Sequence, residues 1–101
     1  MDSQTPNAPE VYVDVREIPL AQPFSILISV CTEATVHEVR VDAIMPAHQH
    51  GLNYLPEVSA LDEGMFRVDD LLFHMPGQWK LQADVDFSRR SVSYTSEITL
   101  K

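Results

Sequence analysis

At 101 residues and 45% hydrophobic composition, the chain suffices for one domain with a modest core, a length into which a catalytic apparatus with its own substrate-binding domain is hard to fit. The formal charge of −8, from 15 acidic against 7 basic residues, disfavours nucleic acid and anionic lipid, both of which need a basic face. No apolar run approaches the ~20 residues that span a bilayer as a helix.

Residues 1–9 are polar, carry Pro6 and Pro9, and are expected to form a flexible lead before a single domain over 10–101. Met1-Asp2-Ser3-Gln4 has no charged segment followed by an apolar one. The chain is therefore expected either to be cytosolic or to have lost a secretory signal or membrane anchor. Val11, Val13 and Val15 then alternate with Tyr12 and Asp14, a period of two that predicts a strand. Phe24, Ile26, Ile28 and Val30 alternate with Ser25, Leu27 and Ser29 in the same way. Cys31 follows this run and is the chain's one cysteine, which excludes an internal disulfide. It is expected to be a buried structural thiol.

Val39, Val41 and Ala43 alternate with Glu38, Arg40 and Asp42, and shorter strands are expected at Glu57–Leu61 and Phe66–Phe73. Asp62-Glu63-Gly64 between these two predicts a hairpin loop in which Gly64 takes a positive φ. The clearest alternation is Trp79, Leu81, Ala83, Val85 and Phe87 against Lys80, Gln82, Asp84 and Asp86. Val92, Tyr94, Ser96, Ile98 and Leu100 close the chain. Seven prolines punctuate it, and no stretch shows a helical period. About seven short strands at such spacing predict an all-β, immunoglobulin-like antiparallel sandwich, with a β-meander or small barrel as its rival. The Cys-Trp-Cys core of antibody domains is absent, but Trp79 is available as a core aromatic.

Chemistry concentrates in two segments, each built around a Met-Pro pair: Met45-Pro46-Ala47-His48-Gln49-His50-Gly51 and Phe73-His74-Met75-Pro76-Gly77-Gln78-Trp79. Imidazole and thioether suit copper, the thioether favouring Cu(I). In an extended segment His48 and His50 present both rings on one side, with Pro46 stiffening the approach and Gly51 freeing the exit. A return of the chain after the intervening hairpin would add His74 and Met75. The candidate metal ligands are thus His48, His50 and His74, with Met75 and Met45 secondary. Asn53 and Asp70 are possible supplementary ligands, while His37 reads as structural or surface.

The ordinary alternative is that Met45 belongs to the core and Met75 packs on Trp79, with His74 bonded to backbone. The protein would then be an interaction or sensor module. Catalysis has no nominee. No histidine adjoins Cys31 in sequence and no serine sits in a nucleophile-elbow setting. Asp62-Glu63 and Asp69-Asp70 read as solvated surface.

These two blocks resemble the YtkA-like domain family, related to FixH, whose pattern runs Met-Pro-x-His-x-His-Gly-Met, a short hairpin, then Phe-His-Met-Pro-Gly-x-Trp and two final strands. Met45, Pro46, His48, His50 and Gly51 match the first block. Gly64, Phe66, Val68 and Leu72 fit the hairpin, and Phe73, His74, Met75, Pro76, Gly77 and Trp79 match the second. The resemblance covers roughly residues 24–87, and Leu52 departs from it where methionine is common. It implies an immunoglobulin-like sandwich exported to the bacterial periplasm or cell envelope. It also implies a copper-handling accessory role beside a metalloenzyme or relay partner, as in the building of haem-copper oxidases.

Overall fold

The computed structural model describes residues 1–15, 17–47, 50–52 and 55–100, with the side chain of His50 excepted. Eight strands follow one another: β1 (Glu10–Asp14), β2 (Phe24–Cys31), β3 (Val36–Met45), β4 (His50–Gly51), β5 (Glu57–Asp62), β6 (Met65–Leu71), β7 (Gly77–Phe87) and β8 (Ser91–Leu100). Among the described residues there is no helix. The strands form two four-stranded sheets, in the orders β1-β2-β6-β5 and β4-β3-β7-β8, and every pairing is antiparallel. Seven long strands in this arrangement make the expected immunoglobulin-like sandwich, with the two-residue β4 as an addition to the second sheet.

Period-two alternation selects the core. On β7, Trp79, Leu81, Ala83, Val85 and Phe87 face inward, and the first four are completely buried. Val39, Val41, Ala43 and Met45 of β3 face the same space, and Ile26, Ile28 and Val30 of β2 close it from the other sheet. Residues between them along each strand point to solvent, and on β3 these are the charged Glu38, Arg40 and Asp42 and the apolar Ile44. Cys31 obeys the same alternation. It follows the inward Val30, so its thiol is exposed, which corrects the expected buried thiol.

Turn chemistry joins the strands as the sequence requires. The β5–β6 hairpin turns through Glu63 and Gly64, whose φ is +71°. There the chain passes so close to β2 that a Cβ at Gly64 would lie 2.6 Å from the Val30 carbonyl oxygen. A bulge interrupts the β2–β6 ladder: Phe24 pairs Leu71 but Ile26 pairs Val68. Two residues, Asp69 and Asp70, thus oppose Ser25. Asp70 takes φ +63° to make this possible, and Ser25 Oγ donates to Asp69 at 2.6 Å. The lead is docked on the sandwich at several points. Asp2 exchanges two 2.8 Å backbone hydrogen bonds with Thr95 of β8, and the Met1 ammonium donates to the Val11 carbonyl.

Candidate metal site

Antiparallel pairing of β3 with β7 decides where the two Met-Pro blocks lie. Ala43 pairs Leu81 and Ile44 pairs Lys80, so the C-terminal end of β3 runs beside the N-terminal start of β7. The first block leaves β3 at Met45, turns through Pro46 and Ala47, and returns as β4, where His50 pairs Met45 and Gly51 pairs Ile44. Pro46 cannot donate to a continuing ladder, which ends β3 at this point. The second block leaves β6 after Leu71, crosses from the first sheet to the second, and enters β7 at Gly77. Both blocks therefore occupy one end of the sandwich.

They touch through Met45 and Gly77. A Cβ at position 77 would fall 2.6 Å from Met45 Cε, and Gly77 has φ +134°, a conformation that disfavours any side chain. Met45 is 1% exposed. Its thioether is a wall of the core at this end of the sandwich.

The second block wraps the Trp79 ring. Phe73 stacks on it, with centroids 4.5 Å apart and planes 4° from parallel, and Phe24 meets Phe73 edge-on at 5.2 Å. His74 approaches Trp79 edge-to-face at 5.6 Å. The indole Nε1–H donates to the Met75 carbonyl at 3.0 Å, so the buried tryptophan satisfies its one polar group within the block. The sequence suggested Met75 as a sulfur partner for Trp79; the contact found is through its backbone oxygen. Phe73 is fixed further by its carbonyl, which accepts a 2.9 Å bond from the Ala21 amide.

His74 and Met75 are half-buried, and Met75 packs against the core together with Leu52. The His74 Nδ1 atom is itself buried. His48 and Asn53 lie outside the described residues, and for His50 the backbone alone is described. Asp70 is exposed in the β6 bulge. His37, at the opposite end of β3, is removed from both blocks. Among the described residues no group of three or more His, Cys, Asp or Glu side chains is placed to hold a metal ion. The aromatic stack around Trp79 was missed in the sequence; its signal was two aromatics, Phe73 and Trp79, flanking a Pro-Gly turn.

No protein-family profile matches the chain, and no curated protein does. Among solved structures it is similar to a DUF4785 family protein from Legionella pneumophila, with a TM-score of 0.61 and 16% identity. The match takes in 90% of this chain and 27% of that one, so the chain spans about a quarter of that protein's length. At this identity the likeness shows the fold alone.

Proposed function

We propose that this sandwich is a non-catalytic copper-binding accessory module of the cell envelope, with its ligands at the end where the two Met-Pro blocks meet. The observation that carries the reading is the Met45–Gly77 contact. It brings a strand pair bearing His50 beside a crossing segment bearing His74 and Met75. Imidazole and thioether donors fit copper, the thioether its reduced state, and the resemblance to the YtkA-like pattern supports the same chemistry.

His48, His50 and His74 are the leading ligands. Met75, half-buried, is the thioether better placed to contribute, because Met45 could offer sulfur only from inside the core. Copper is cargo here: neutral imidazoles capture it, and ligand exchange passes it to a metalloenzyme or relay partner. Titration of copper into the wild type and the His48→Ala/His50→Ala double variant tests the proposal. A large loss of affinity in the variant is expected, and equal affinity removes the site.

A second reading has its own support. Met45 is a core residue, and Phe73, Met75 and Gly77 each have a structural task around Trp79 and β3. On that reading the blocks build one end of a protein-interaction or sensor domain, since an immunoglobulin-like fold does not fix function. Unchanged copper affinity combined with a lowered melting temperature in the double variant selects it.

A further inference from the structure

In the second sheet, β3 pairs β7 along nearly its whole length. On its other side β4 pairs only Ile44 and Met45. Among the described residues, the outer backbone edge of β3 over 37–42 therefore has no strand partner. Across from it, β5 is the edge strand of the other sheet. Between the two edges runs an open groove of about 650 Å³. Val39, Val41, Val58 and Phe66 line it, and Leu55, 77% exposed, stands among its lining residues. An open strand edge beside an apolar groove is the arrangement that peptides use when they add to a sheet: the ladder supplies affinity and the groove takes alternate side chains.

Charge selects the occupant. Glu38, Asp42, Glu57 and Asp84 line the groove. Arg40 lines it too, but its charge is engaged by Asp86 at 2.6 Å and by Glu38 at 3.0 Å. Natural edges are commonly guarded by lysine or proline; β3 carries neither. A second copy of this chain, itself at −8, would bring like charge against this rim.

We propose that the open edge of β3 receives an extended segment of a basic partner protein, which adds to the sheet as a further strand. Directly opposed residues share a face of the sheet. Val39 and Val41 point inward while Glu38, Arg40 and Asp42 point out. The segment that fits alternates apolar residues, which enter the groove, with lysine or arginine, which meets Glu38 and Asp42. This inference is independent of copper binding, because the segment 37–42 lies away from the Met-Pro end of β3.

The test uses the whole chain and a capped, fluorescent peptide of alternating lysine and valine, about seven residues long to match an ordinary strand. A second peptide has the same composition with lysines and valines in separate blocks. Anisotropy measures affinity, and amide hydrogen exchange locates the bound segment. The alternating peptide is expected to bind at least about tenfold more tightly than the blocked one and to slow exchange of β3 amides within 37–42. The exposed double variant Glu38→Lys/Asp42→Lys should weaken it by about tenfold or more, and added salt should weaken it in the wild type. Equal binding of the two peptides, unchanged β3 exchange on binding, or no binding at millimolar peptide overturns the proposal. So does self-association of the free chain that protects the same amides, which would make a second copy the occupant.

Discussion

Met45 and Gly77 share one space between β3 and β7. A side chain at 77 would begin 2.6 Å from Met45 Cε, so the thioether fills room that only glycine leaves open. Gly77→Ala is therefore expected to destabilise by about 1–3 kcal/mol, through overpacking and through the φ of +134° that alanine resists. Met45→Ala alone should cost about 2–5 kcal/mol as a buried cavity. In the Met45→Ala background the steric part of the Gly77→Ala penalty should disappear and the backbone part remain. Urea denaturation of the four proteins measures the coupling; an identical Gly77→Ala penalty in both backgrounds would show that the two blocks are energetically separate.

Much of this arrangement could be read before the structure, and particular residues show why the rest could not. The alternations on β2, β3, β7 and β8 named the inward faces correctly because a half-buried strand has one period. That period also settles Cys31. Its neighbours Ile28 and Val30 face in, so Cys31 faces out, and a general preference of cysteine for the interior gave the wrong expectation. The two-residue β4 left no pattern to read, since its pairing to Ile44 and Met45 depends on the turn that Pro46 starts. Adjacency of the two Met-Pro blocks follows from antiparallel β3 and β7, a tertiary fact that spacing alone only suggests. Whether the His48 and His50 rings join His74 falls outside the described residues.

Three positions with left-handed backbone make opposite predictions. Ala21 has φ +57°, which costs a residue bearing a Cβ about 1 kcal/mol. Ala21→Gly should therefore stabilise by up to about that amount, less the added freedom of glycine in the unfolded chain. Asp70, with φ +63°, tolerates this region better, and Asp70→Gly should be nearly neutral. Gly64→Ala should cost about 1–3 kcal/mol, because its new carbon would meet the Val30 carbonyl oxygen at 2.6 Å. Thermal unfolding ranks the three, and a Gly64→Ala protein as stable as the wild type would contradict the close approach of the turn to β2.

Acid stability should depend on carboxylates on the outer faces of both sheets. Hydrogen bonds from Arg40, then from Ser91, hold the Asp86 carboxyl down at about 2. Asp69 is likewise held below its ordinary value, first by the Ser25 hydroxyl and then by Arg67. A carboxylate whose folded pKa lies below its unfolded value of ~3.9 stabilises the fold above that pH. The stabilisation is lost as pH falls through the folded value. Melting temperature should therefore decline as pH falls from about 4 towards 2, and Asp86→Asn should flatten part of that decline. A variant whose profile parallels the wild type would show that the Arg40–Asp86 pair contributes nothing measurable, as exposed pairs often do.

The single tryptophan offers a direct view of copper binding. Trp79 lies 5.6 Å, centroid to centroid, from the His74 ring, and its indole is tied to the Met75 backbone. Cu(II) bound by His74 would sit within the short range over which that ion quenches indole emission. Titration with Cu(II) should therefore quench Trp79 fluorescence in proportion to the site filled, and His74→Gln should remove the quenching while leaving residual binding at His48 and His50. Imidazoles bind metal only when neutral, so the quenching should reverse as pH drops below the ordinary histidine value of ~6.5. Calorimetric copper binding with unchanged Trp79 emission would take His74 out of the ligand set and leave it as an aromatic partner of Trp79.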